Sequence, residues 1–248
     1  MIVTLVLLLC INYFLSVPPI FYLIVLIIWG VITLLGSSII GWNYHVASLC
    51  RNKEITKNQV SITFDDGPDA NFTPRVLDLL DEFNAKATFF CIGKKIEKEP
   101  LLFMEIIKKG HTVGNHTYSH ANNFGFFSSE RVVSELTKTN EIVKEISGLS
   151  LKMFRPAFGV TNPRIKKALN TTGLLSIGWS KRSFDTTGLS EKSILQRVTK
   201  NLRKGDIILL HDSSSKSIQV LEQLLLFLKT NKLESVTVDQ LLAIKPYA

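Results

Sequence analysis

Charge is missing from the first fifty residues. No Asp, Glu, Lys or Arg precedes Arg51, so all 29 basic and all 21 acidic side chains lie beyond that point. Nothing polar marks a solvent-facing stripe there, which argues against a buried helical hairpin of a soluble protein. The apolar residues form two runs, Met1–Val17 and Ile20–Ile40, parted by Pro18-Pro19. The second is about as long as the roughly 20 residues that a bilayer-spanning helix requires, with Trp29 and Trp42 as interface anchors. The first is shorter and interrupted by Asn12. The basic start and small-residue cleavage site of a secretory signal are both lacking. We expect a retained membrane anchor of one or two helices, drawn as a transmembrane helical hairpin.

Cysteine is scarce too. Cys10, Cys50 and Cys91 are scattered, which argues against a disulfide framework and against a cysteine-based metal site. Fixed-period repeats, low-complexity tracts, helix-turn-helix patterning, zinc-finger spacing and aromatic-basic interleaving are all lacking, so no nucleic-acid partner is expected. No protein partner can be inferred either. The net charge of +8 suits a domain beside anionic lipid or one acting on an acidic polymer. Arg51, Lys53 and Lys57 follow the second run with Glu54 among them, and they leave the membrane orientation open.

From Val60 onward, short apolar runs alternate with amphipathic segments. Strands are expected at Val60–Phe64, Ala87–Ile92, His111–Gly114, Leu151–Phe154, Leu174–Trp179, Asp206–Leu210 and Ser235–Val238. Helices are expected between them, one capped by Thr73 with Pro74 at its first position and one opened by Ser128 or Ser129. Seven strand-like runs with intervening helices predict an α/β fold with parallel strands wound into a barrel, an open doubly wound sheet being the second choice.

The run Ile62-Thr63-Phe64-Asp65-Asp66-Gly67-Pro68 ends an apolar strand on two adjacent carboxylates and a turn. Parallel α/β folds keep their chemistry at the carboxyl ends of strands. Adjacent carboxylates repel unless a cation or a hydrogen-bonding base separates their roles. A plain capping or turn pair is the simpler reading of this stretch alone. Further along, His116 and His120 stand four positions apart after the third strand. On a helical turn both imidazoles would share one face and could serve one metal ion, although such a pair is as often a surface or hydrogen-bonded one. One carboxylate with two imidazoles leaves open positions on a divalent ion, as a catalytic site needs. Arg155 and His211 follow two further strands. Each alone has an ordinary structural reading; four strand ends bearing catalytic-type side chains together do not.

These motifs resemble those of the NodB-like polysaccharide deacetylases, carbohydrate esterase family 4, in the same order and over most of the chain from about Val60. The resemblance implies a distorted (β/α) barrel with fewer than eight full units, here about seven strands. It implies that Asp65 is the general base and that Asp66, His116 and His120 bind a divalent metal, zinc first, with cobalt or another ion possible. It implies that Arg155 holds the base, and that Phe158 offers a backbone amide to the oxyanion. His211 is then the general acid paired with Asp185, and Trp179 with Leu209 lines the acetyl pocket. Four positions depart from the family pattern. Ala157 and Phe158 stand in place of proline and tyrosine, and the chemistry needs only the backbone there. Arg182 stands where many members carry an acid, and Thr186 where many carry tryptophan; both bear on the groove wall.

The resulting expectation is a membrane anchor over residues 1–42, a linker over 43–59 and a catalytic domain over 60–248. The domain would remove N-acetyl groups from N-acetylglucosamine-containing cell-wall or surface polysaccharide, on the outer face of a bacterial cytoplasmic membrane. The alternatives are a deacetylase or deformylase of a lipid-linked amino sugar, and an inactive glycan-binding protein.

Overall fold

The structure is a computed structural model that describes residues 2–248; Met1, the start of the first apolar run, lies outside the described residues. The chain opens with α1 (Ile2–Phe14) and α2 (Pro19–Ser38). At 1.5 Å per residue the 13 residues of α1 reach only about 20 Å. That is short of the hydrocarbon core, so the expected transmembrane hairpin is corrected. Among the described residues one helix, α2, is long and apolar enough to cross a membrane.

Strand β1 (Ser48–Leu49) follows, then β2 (Gln59–Asp65), α3 (Thr73–Glu82), β3 (Ala87–Cys91), α4 (Gly93–Lys98), α5 (Pro100–Lys108) and β4 (Thr112–Asn115). The chain continues through α6 (Ser129–Ser147), β5 (Met153–Phe154), α7 (Pro163–Thr172), β6 (Leu175–Ile177) and β7 (Lys181–Arg182). It closes with α8 (Glu191–Thr199), β8 (Ile207–His211), α9 (Ser215–Thr230), β9 (Glu234–Ser235) and α10 (Val238–Leu242). The strands run β1-β6-β5-β4-β3-β2-β8-β7, with β9 on β2, and the strand pairings are parallel. The edge strands β1 and β7 do not pair with each other, so the sheet curls into a half-barrel rather than closing.

All seven expected runs contain a strand, and two were not expected. The segment anticipated as linker carries β1, which pairs with β6, and Arg51, whose guanidinium meets Asp206 at 2.6 Å. The last run is strand only at Glu234–Ser235 and turns into α10 at Val238. Thr73 is not a cap: Phe72 holds that position, and the Thr73 hydroxyl bonds to Asp212 instead.

Alternation along β2 explains where the chemistry sits. Val60, Ile62 and Phe64 bury against the helices with Ile208 and Leu210 of β8. The period of two then turns Ser61, Thr63 and Asp65 to the barrel interior. That interior is floored by Phe90, Met153, Ile177 and Ile207, with Val238 and Leu241 of α10 among them.

Candidate active site

Register brings the first two groups together. In the β2–β8 pairing Asp65 lies opposite His211, and Thr63 opposite Leu209. Strand ends β4 and β5 add His116 and Arg155 on the other side. The result is a cleft of about 190 Å³ lined by Asp65, Asp66, His116, His120, Trp179 and His211, with Phe158, Arg182 and Leu209 also on its walls. All ten residues singled out above lie in this cleft or touch a residue that does.

Asp66 sits directly after β2 with φ 73, a left-handed conformation uncommon for a residue with a side chain. This turns its carboxylate from the strand toward the histidines. Asp66 Oδ1 is 3.3 Å from His116 Nε2 and 3.2 Å from His120 Nε2. One ligand atom from each of these three residues falls within 4.8 Å of the others. Burial pushes the Asp66 pKa up, but the close approach of the His116 and His120 imidazoles outweighs it and holds the carboxyl well below the usual range.

The expected helical turn over the histidines is corrected. The segment is an irregular loop with Thr117 at φ 66 and His120 at φ 48. Asn115 Oδ1 accepts from Thr117 N at 2.9 Å. Glu135 of α6 accepts from the backbone N–H of Tyr118 and Ser119 at 3.0 and 2.7 Å. His116 Nδ1 lies 2.8 Å from the Arg155 carbonyl; as the donor there, it leaves Nε2 with a free lone pair.

Arg155 is fully buried. Its Nη1 donates to Asp65 Oδ1 and to Thr63 Oγ1, both at 2.7 Å, its Nη2 to Gly178 O at 2.9 Å and its Nε to Ile177 O at 3.2 Å. The guanidinium also stacks 4.1 Å from the Phe90 ring centroid. A buried cation with this many acceptors fixes its acid partner in position.

Across the cleft, Asp185 Oδ1 is 2.8 Å from His211 Nδ1, and Oδ2 accepts from His211 N at 2.8 Å and from Ser217 Oγ at 2.9 Å. Burial would lower the His211 pKa, yet the hydrogen bond and charge of Asp185 raise it to about 9. His211 is therefore an imidazolium at neutral pH. Phe158, at φ 60, packs its ring 4.6 Å from His120. A side chain at Gly159, φ 72, would collide with Trp179.

Sequence reading passed over Thr63, Asn115, Glu135, Ser217 and Asp212. Asp212 is fully buried; burial pushes its pKa up to about 6, it accepts from Thr73 Oγ1, and its carboxylate fills the space a side chain at Gly67 would need. Its position directly after His211 was the one signal that could have marked it.

The residues fit a divalent cation. Asp66 Oδ1 is buried without a hydrogen-bond donor, and burying an anionic oxygen unpaired is costly. Two imidazole nitrogens and a carboxylate are the donor set of borderline divalent ions, zinc foremost.

A family model described as "Polysaccharide deacetylase" matches residues 52–177. The chain is 36% identical over 203 residues to a peptidoglycan-N-acetylglucosamine deacetylase of Bacillus cereus, covering 77% of this chain and 92% of that protein. A solved peptidoglycan N-acetylglucosamine deacetylase superposes with a TM-score of 0.74 at 33% identity, covering 80% of this chain and 94% of the other. A CE4 family pseudoenzyme from Bacillus anthracis also matches, with a TM-score of 0.72 at 26% identity and 79% and 69% coverage. The chain belongs to the polysaccharide deacetylase family. Within it, the chain is a hydrolase, a polysaccharide N-deacetylase.

Proposed function

We propose that this chain deacetylates N-acetylglucosamine units of cell-wall peptidoglycan, using a divalent metal, zinc in the first instance, held by Asp66, His116 and His120. The observation that carries the reading is the buried, donorless Asp66 oxygen facing two imidazole nitrogens, with the His211–Asp185 pair in the same cleft. Curated relatives acting on peptidoglycan N-acetylglucosamine support the substrate.

A bound divalent cation supplies Lewis-acid chemistry, polarising the amide carbonyl and acidifying water. Asp65, held in place by Arg155, takes the proton from the attacking water. The backbone N–H of Phe158 stabilises the developing oxyanion. His211, kept protonated by Asp185, delivers its proton to the leaving amine, so the C–N bond breaks to give acetate and a free amino sugar. Trp179 and Leu209 enclose the acetyl methyl. Residues 1–42 serve as the membrane anchor and 60–248 as the catalytic domain, outside the cytoplasmic membrane of a bacterium, with the 43–59 connection docked on that domain through β1 and Arg51.

A lipid-linked amino sugar is the second reading. The observation favouring it is the hydrogen bond from Thr161 N to Ser37 O at 2.9 Å, which ties the end of α2 to the loop following Phe158. The test is acetate release by metal-loaded protein from peptidoglycan, from chitin oligomers and from lipid-linked sugar. Release from the lipid-linked sugar alone would overturn the first reading, and release from none would overturn both.

A further inference from the structure

Arg182 has no part in the chemistry above, yet it lines the catalytic cleft. It also lines a second, open trough of about 460 Å³ beside that cleft, together with Lys181, Gln196, Arg197 and Lys200. The trough has four cationic residues on its walls and no acidic one. Among the described residues, none of the four has a carboxylate within ion-pair distance. By contrast Arg51, on the far side of Lys181, is neutralised by Asp206.

Two guanidinium groups crowd one aromatic ring here. Arg182 lies 4.6 Å from the Phe184 centroid and Arg197 4.3 Å from it, while Arg182 also covers Trp179 at 5.4 Å. Arg197 Nε donates to the Arg182 main-chain carbonyl at 2.9 Å, which holds the Arg197 side chain against the ring. Phe184 holds its ring there from a left-handed conformation, φ 59. Burial acts against the charged form of Arg182, the Asp65 carboxylate in the neighbouring cleft partly offsets this, and the Arg197 charge adds to it. Like charges held side by side with planar donor edges unspent are relieved by an oxyanion, which guanidinium groups bind in bidentate fashion.

We infer that Arg182 and Arg197, with Lys181 and Lys200 behind them, form an anion subsite beside the deacetylation cleft. It would take a carboxylate or phosphate carried by the glycan next to the reacting N-acetyl group. The inference rests on the deacetylase reading for its substrate and on the geometry of the trough for its charge.

The test compares an alternating N-acetylglucosamine–N-acetylmuramic acid tetramer as free acid and as methyl ester, using the metal-loaded full-length protein at low salt. The free acid is expected to have at least about tenfold higher kcat/KM, mostly through KM, and Arg182→Gln should bring the ratio close to one. A diphosphate-linked N-acetylglucosamine, compared with the uncharged sugar, is the phosphate arm. Preference in that arm alone assigns the subsite to phosphate. Equal rates on charged and neutral partners in both arms, or a preference that survives Arg182→Gln, overturns the subsite. Should no compound be deacetylated, the deacetylase reading fails and equilibrium binding of the same compounds decides. Tighter binding of the charged form, abolished in Arg182→Gln, upholds the subsite; equal affinities overturn it.

Discussion

The backbone carbonyl of Arg155 accepts from His116 Nδ1 at 2.8 Å while its side chain holds Asp65 at 2.7 Å. One residue therefore orients a metal-ligand candidate through its main chain and the proposed base through its guanidinium. The two functions can be separated by mutation. Arg155→Lys keeps the carbonyl but loses the fork that reaches Asp65, Thr63, Ile177 and Gly178 together. Metal binding should persist, whereas kcat/KM should fall by about 100-fold, the scale of a mispositioned general base. Stability should drop by roughly 1–3 kcal/mol, since Lys keeps a charge for Asp65 but leaves buried acceptors among Thr63, Ile177 and Gly178 unpaired. Metal stoichiometry and acetate release on the same preparation check this, and loss of metal would contradict it.

The His211–Asp185 pair predicts a pH dependence of definite sign. The folded pKa of His211 is raised from 6.5 to about 9. Its contribution to stability is complete below 6.5 and is lost as pH rises through about 9, amounting to about 3 kcal/mol. Asp185→Asn removes the main cause of the shift. The imidazolium signal of His211 in NMR titration should move down by about two pH units, and the alkaline fall in kcat should move with it.

His111 works in the opposite sense. It is buried, Nδ1 accepts from Ala87 N at 3.2 Å and Nε2 has no partner. Burial, aided by Lys86, lowers its pKa from 6.5 to about 4. The unfolded chain therefore binds a proton between those values that the folded one refuses, and stability falls as pH drops through that window. Between pH 7 and 5 the loss should be about 2 kcal/mol. Asp212 and His211, whose folded pKa values are raised, change in the opposite sense over the same window. The loss is therefore read as the difference between wild type and His111→Gln in denaturant unfolding in detergent, the variant gaining about that much relative to the wild type as pH falls from 7 to 5.

Much of the fold was legible because β2 shows a strict period of two, β3 is rich in aromatics and β8 carries an unbroken apolar stretch. The two-residue strands Ser48–Leu49 and Lys181–Arg182 do not. They are strands only because β6 and β8 offer them open edges, a tertiary effect no local pattern reports. The site residues were visible as chemical types at strand ends, but the geometry between them was not. Thr117, a β-branched residue at φ 66, is held there by Asn115 and by the loop contacts of Glu135, seventeen positions from Tyr118 in sequence. The first run already reads as short in the sequence, and α1 is shorter still, ending at Phe14, where Asn12 Oδ1 accepts from Val17 N at 2.8 Å and turns the chain before Pro18.

The most direct test titrates zinc into chelated protein while acetate release from peptidoglycan is followed, for wild type, Asp66→Ala, His116→Ala and Asp65→Asn. Activity in the wild type should rise linearly to one ion per chain. Asp66→Ala and His116→Ala should lose the ion, and Asp65→Asn should keep it and turn over at least about 100-fold more slowly. Full activity in the chelated protein, or an ion retained by Asp66→Ala and His116→Ala but lost from Asp65→Asn, would contradict the account.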